Sequence, residues 1–136
     1  MYRIYDKEKK CWVRENIFLA PNEDMVMLTK GLFGRKKLSL VPSSRFIFQR
    51  DTNLLDKNNV LIYEGDIVQS TDANYIGIVT YIQEATAYVI LDYHDYKYYL
   101  LGYSSLEEGR SDIIEVIGNV FDNKDMLPSN YDENDV

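Results

Sequence analysis

Residues 76–83, IGIVTYIQ, and 86–92, TAYVILD, decide the fold. In the first run Ile78, Thr80 and Ile82 alternate with Val79, Tyr81 and Gln83. That two-residue period belongs to a strand covered in part on both faces, and β-branched and aromatic side chains suit its pleated surface. Nowhere do twelve or more residues keep a clean apolar period of 3.6, the mark of an amphipathic helix.

On either side of this stretch the same signal recurs at 66–70 (DIVQS), 96–103 (YKYYLLGY) and 113–121 (IIEVIGNVF). Five short strands so close together predict a small, strongly bent sheet or SH3-like barrel. Its expected core includes Ile67, Val68, Ile78, Val79, Val89, Leu91, Val116 and Val120, and its two faces cannot both be fully buried. The first half adds candidate strands at 2–5 (YRIY), 11–14 (CWVR), 25–29 (MVMLT), 38–41 (LSLV) and 45–50 (RFIFQR). Asp6 to Lys10 is polar and reads as a hairpin turn. Gly31 and Gly34 flank a second connection that ends in the basic run Arg35, Lys36 and Lys37. The polar stretch 51–59, DTNLLDKNN, is turn-prone and is expected to join the halves. Helix is scarce: one turn is expected within 104–110 and another within 123–127, before Pro128. The chain is thus expected to be mostly β, with bent and coiled sheets. An N-terminal β subdomain (1–53) precedes a barrel-like one (54–127), and the acidic 128–136 should form a disordered tail.

A chain of 136 residues, 46% apolar, has material for a packed core. No window reaches the roughly 18 to 20 apolar residues needed to span a bilayer. The N-terminus MYRIYDKEKK lacks the apolar core of a signal peptide. A cytoplasmic protein without membrane partners is therefore expected. The single Cys11 agrees with a reducing compartment and reads as a small buried residue beside Trp12. The charge is uneven. Residues 1–57 hold 12 Lys or Arg against 7 Asp or Glu, whereas 58–136 hold 3 against 15. Opposite fields of this kind bear on steering and self-association.

Two segments and the opening are more specific than any pattern. Residues 54–68, LLDKNNVLIYEGDIV, and 115–127, EVIGNVFDNKDML, resemble the two signature segments of the YopX family of phage and prophage proteins, and YRIYDKEKKCWV is similar to that family's opening. The resemblance covers about a third of the chain, in the family's order. It implies a β fold of bent and coiled sheets, a mobile-element setting and no established activity. Asn59 stands where the family has a turn glycine, and Asn tolerates the left-handed region, so the turn should survive. Within Tyr63, Glu64, Gly65 and Asp66, Gly65 is expected to supply a positive φ or a close backbone approach. One of the two carboxylates should cap the turn and the other face solvent. Gly118 suggests a bulge or barrel corner, with Asn119 securing it by a local hydrogen bond.

Candidate chemistry is sparse. The only His lies in Asp92-Tyr93-His94-Asp95, but zinc sites draw on several His or Cys, so a solvated His at a strand end is expected and no metal. There is no Gly-x-Ser-x-Gly elbow, phosphate loop or dinucleotide fingerprint, so neither an enzyme nor a cofactor is expected. Tyr96 and Tyr98 should share one strand face, with Tyr99 and Tyr103 on the other; such a cluster either packs internally or forms a contact surface. The expected function is a non-enzymatic, prophage-encoded interaction or assembly module that self-associates or binds an unknown host or phage protein. The alternative is a nucleic-acid-binding accessory protein whose basic turn, Arg35 to Lys37, meets phosphates; overall acidity argues against it.

Overall fold

In the computed structural model the described residues are 2–14, 16–19, 25–30, 36–102 and 109–131, with the backbone alone described within 16–19, 25–30 and 36–41. The described residues form twelve strands and two single-turn 3-10 helices, so the mostly β reading holds. The chain divides into two compact units, Met1–Gln49 and Arg50–Val136. Ten Lys or Arg against five Asp or Glu lie in the first, and five against seventeen in the second, so the charge asymmetry follows the structural division. Among the described residues no helix is long and apolar enough to cross a membrane.

In the first unit β1 (Tyr2–Asp6) pairs antiparallel with β2 (Cys11–Trp12), setting Tyr5 opposite Trp12 and Asp6 opposite Cys11. The expected hairpin turn is fastened by Asp6. Its Oδ1 accepts the Glu8 and Lys9 amides at 3.0 and 3.1 Å, and Arg45 donates to both carboxylate oxygens at 2.9 and 2.6 Å. Arg45 reaches it from a 3-10 turn, Ser43–Arg45, that the sequence reading did not foresee. The Asp6 carboxylate is buried and the Arg45 side chain largely so, which makes the buried carboxylate dependent on its partner to offset desolvation. Tyr5 meets Trp12 edge-on at 5.2 Å and Arg3 lies over the same indole at 4.7 Å. Cys11, expected to be buried, is exposed. Alternation sets it on the strand face opposite the half-buried Trp12, at the end of the ladder across from Asp6.

A separate three-stranded antiparallel sheet has the order β3 (Asn16–Leu19), β4 (Met25–Lys30), β5 (Lys36–Val41). The short β3 escaped the sequence reading. Lys36 and Lys37 stand on β5 rather than in the turn, because the ladder continues to the pair Lys30–Lys36.

The strand β6 (Phe46–Leu55) runs past the expected linker start. Its residues 51–55 are strand and pair with β7 (Leu61–Tyr63), with an irregularity where Asn53 takes φ 59°. The polar look of this stretch misled the reading. Two inward positions suffice to hold it: Thr52 donates to the Ile62 carbonyl at 2.9 Å and Leu54 enters the core. The true turn is 56–59, where Asn59 has φ 63° as the Gly-to-Asn argument required.

The five remaining strands, β8 (Asp66–Ser70), β9 (Ile76–Ile82), β10 (Ala87–Asp92), β11 (Lys97–Leu100) and β12 (Ile114–Asn119), form one antiparallel sheet in the order β11-β10-β9-β8-β12. It curls into a half-barrel. Its inner face carries Val68, Val79 and Ile90, which pack with Leu54, Ile62, Leu101 and Ile114. Six of the eight expected core residues are buried, and Leu91 and Val116 are half-buried. A single-turn 3-10 helix, Lys124–Met126, matches the expectation near 123–127; the turn expected within 104–110 lies mostly outside the described residues. The residues from Pro128 to Tyr131, expected to trail free, carry contacts: the Tyr131 ring meets Tyr93 edge-on at 5.7 Å. Residues 132–136 are outside the described residues.

The Asp6–Arg45 pair has a pH signature. The Arg45 hydrogen bonds hold the Asp6 carboxyl below its ordinary value, so the unfolded chain takes up its proton first as pH falls. The pair's stabilisation is complete above the ordinary carboxylate pKa and is lost as pH drops through the depressed one. Asp6→Asn should therefore be less stable than the parent at pH 7, with the gap closing towards pH 3, as followed by denaturant midpoints at successive pH values.

Candidate functional site

The motif Tyr63 to Asp66 is the turn between β7 and β8, and it is built from backbone. Gly65 has φ 80°, in the region the sequence reading assigned to it. Its N–H donates to the Val79 carbonyl at 2.8 Å and its carbonyl accepts the Val120 amide at 3.0 Å, so one glycine ties the turn to β9 and to the end of β12. Asp66 is the capping carboxylate: buried, its Oδ2 accepts the Tyr63 amide at 2.8 Å. Glu64, the other carboxylate, is half-buried rather than solvated: it accepts the Arg50 amide at 3.0 Å while its own amide donates to the Arg50 carbonyl at 2.9 Å. Both carboxylates thus serve the fold.

At the other motif the β8–β12 register shifts between Val116 and Gly118, the expected bulge. A Cβ at Gly118 would stand 2.6 Å from the Asn123 side-chain oxygen, which accepts the Asn119 amide. Asn119 Oδ1 in turn accepts the Phe121 and Asp122 amides at 3.0 and 2.9 Å.

Sequence reasoning missed Asp56. Fully buried, its Oδ1 accepts the Asn58 and Val60 amides at 2.8 and 2.9 Å, and its Oδ2 accepts the Val116 amide at 2.9 Å. The pattern Asp-Lys-Asn-Asn signals the turn half of this role. The bond to Val116, sixty residues away, has no local signal.

His94 is exposed in the turn after β10, as expected. The buried Asp92 carboxylate accepts the His94 and Asp95 amides at 2.9 and 3.4 Å, so it holds that turn. Among the described residues no group of three or more His, Cys, Asp or Glu side chains is placed to hold a metal ion.

The tyrosines separate. Tyr99 turns inward and stacks on Tyr75 with ring centres 3.9 Å apart. Burial pushes the Tyr75 phenol above its ordinary pKa. Tyr98 turns outward and is 61% exposed. Tyr96 is not in a strand but in the preceding turn, at φ 53°, where its exposed hydroxyl accepts the Asn130 amide at 2.7 Å. Tyr103 and Arg35 lie outside the described residues. The reading overlooked Leu100, which at 76% exposure is the most exposed large apolar side chain among the described residues.

On this outer face Tyr96, Tyr98, Leu91, Ile78, Thr80 and Ile82 line a groove of about 340 Å³. Met126, Leu127 and Pro128 border a smaller apolar recess of about 240 Å³ with Ile67 and Ile78. The outer face is therefore buried at Ile67 on β8 and bare at Leu100 on β11.

The profile of the YopX protein family matches residues 1–128. The chain belongs to the YopX family. Two solved structures share this YopX fold. The crystal structure of protein yopX from Bacillus subtilis, 19% identical, aligns over 93% of this chain and 97% of that one with a TM-score of 0.55. Protein EF1440 from Enterococcus faecalis, also 19% identical, aligns over 93% and 96% with a TM-score of 0.53. Among curated proteins none matches the sequence.

With Gly65 in a conformation that a β-branched residue adopts poorly, Gly65→Val should cost about 1 to 3 kcal/mol of stability, whereas Gly65→Asn should cost less. Urea midpoints of the two variants check this, and an unchanged midpoint for Gly65→Val would remove the argument.

Proposed function

We propose that this YopX-family protein is a non-enzymatic interaction or assembly module, cytoplasmic and prophage-encoded, that self-associates through the outer face of β9, β10 and β11. One observation carries the reading: Tyr96, Tyr98 and Leu100 are 61 to 76% exposed, and the first two line a groove whose other walls are mostly apolar. Apolar surface left in water forgoes about 25 cal/mol per Å², and contiguous bare patches on monomers are small unless they are contact surfaces. The motif residues support the reading by elimination of duty, since Asp56, Glu64, Asp66 and Asp92 are all engaged with backbone amides. A host or phage protein could occupy the same face.

A second reading, a nucleic-acid-binding accessory protein, draws on the register that sets Lys30 directly opposite Lys36, with Lys37 next to it opposite Thr29. The register thus brings these basic residues to neighbouring positions of one hairpin, the kind of sequence feature a phosphate backbone meets. Retention on a DNA or RNA column that declines steeply with salt favours this reading, and indifference to nucleic acid favours the first.

At tens of micromolar, sedimentation should give a mass above the 15.9 kDa of one chain. Tyr98→Ser should weaken the association without lowering the urea midpoint. Tyr99→Ser should lower the midpoint, because that ring is stacked in the interior. A monomer under these conditions overturns the self-association reading.

A further inference from the structure

The outer face ends at a sheet edge, and the edge names its own partner. β11 is the last strand of its sheet, with β10 on one side and, among the described residues, no strand on the other. The Leu101 amide donates to the Tyr88 carbonyl at 3.1 Å. Bonded and non-bonded pairs alternate along an antiparallel ladder. Tyr99 with Ile90 and Lys97 with Asp92 are therefore the other bonded pairs, and Tyr98 and Leu100 turn their N–H and C=O groups away from β10. These same residues carry the bare side chains. The usual guard of an edge strand is charge, yet Lys97, at its start, is the one charged residue of β11.

We propose, resting on the self-association reading, that β11 pairs antiparallel with β11 of a second copy about a two-fold axis at Tyr99. This register sets Tyr98 opposite Leu100 of the second copy and Leu100 opposite its Tyr98. It keeps the outer face of both copies on one side of a continuous sheet and turns the four outward backbone groups of each strand, unpaired among the described residues, onto their counterparts. Two aromatic–aliphatic cross-strand contacts form beside them. The strand complements itself here, which is why a second copy fits. At about 150 to 250 Å² for a whole aromatic side chain, Tyr96, Tyr98 and Leu100 offer about 400 Å² per copy, against about 800 Å² in a standard interface. The pair is thus small and reversible.

The charge distribution separates this geometry from a head-to-tail one. An isologous pair brings two copies of the acidic second unit together, so added salt should tighten it, whereas contact between the basic unit of one copy and the acidic unit of the next weakens in salt.

The test compares the full chain with Leu100→Ala and Leu100→Pro by sedimentation equilibrium at two salt concentrations. Both variants lose the side chain, and only Pro loses the outward N–H, leaving the bonds to β10 intact. Leu100→Pro should dissociate about tenfold more readily than Leu100→Ala, with equal urea midpoints. Equal dissociation of two folded variants overturns the edge pairing and leaves self-association standing, and a monomeric parent overturns both. Should Leu100→Pro fail to fold, the register is read by disulfides in a Cys11→Ser background. A mixture of Tyr98→Cys and Leu100→Cys chains should cross-link to each other in preference to themselves, and cross-linking without that preference overturns the proposal.

Discussion

Gly65 carries the constraint on which the second unit depends. Its left-handed backbone lets the β7–β8 turn be so tight that its N–H and carbonyl reach two further partners, Val79 and Val120. The turn fixes where β8 begins, and so which residues of β8 face which way. Val68 enters the core and Ile67 lies on the opposite face because β8 starts at Asp66. A slip of one residue would exchange the two sets, which is why the buried Asp66 carboxylate, closing the turn onto Tyr63, matters beyond its single hydrogen bond.

The two segments that carry the family resemblance turn out to be each other's fasteners. Asp56 of the first holds the Val116 amide of the second, Lys57 donates to Ile114 and pairs with Glu115 at 3.2 Å, and Gly65 accepts from Val120. Asp66 and Asn119 face each other across the β8–β12 ladder. The residues most recognisable in the sequence therefore maintain a sheet. The exposed row Tyr96, Tyr98 and Leu100 lies outside both signature segments.

The sheet's outer face shows how such a surface arises. Near β8 it is roofed by Met126, Leu127 and Pro128, and beyond them Asn130 and Tyr131 reach Tyr96 and Tyr93 at its border. Towards β11 the apolar alternation continues, from the buried Val89 and half-buried Leu91 to Tyr98 and Leu100, which are bare. Alternating strands supply two apolar faces, and one short C-terminal segment covers only part of the second.

Local chemistry was legible in the sequence. The period of Ile76 to Ile82, the left-handed positions at Asn59 and Gly65, the bulge at Gly118 and the hydrogen bonds of Asn119 all depend on residues within a few positions, and each stands where the sequence reading set it. Residues 51–55 read as a linker because their polar side chains dominate, and only packing of Leu54 and the Thr52–Ile62 bond makes them a strand. The exposure of Leu100, the inward turn of Tyr99 onto Tyr75 and the reach of Asp56 to Val116 were likewise settled by partners up to sixty residues distant. Propensity and turn chemistry are properties of a short window of chain; burial is a property of what the rest of the chain lays on top.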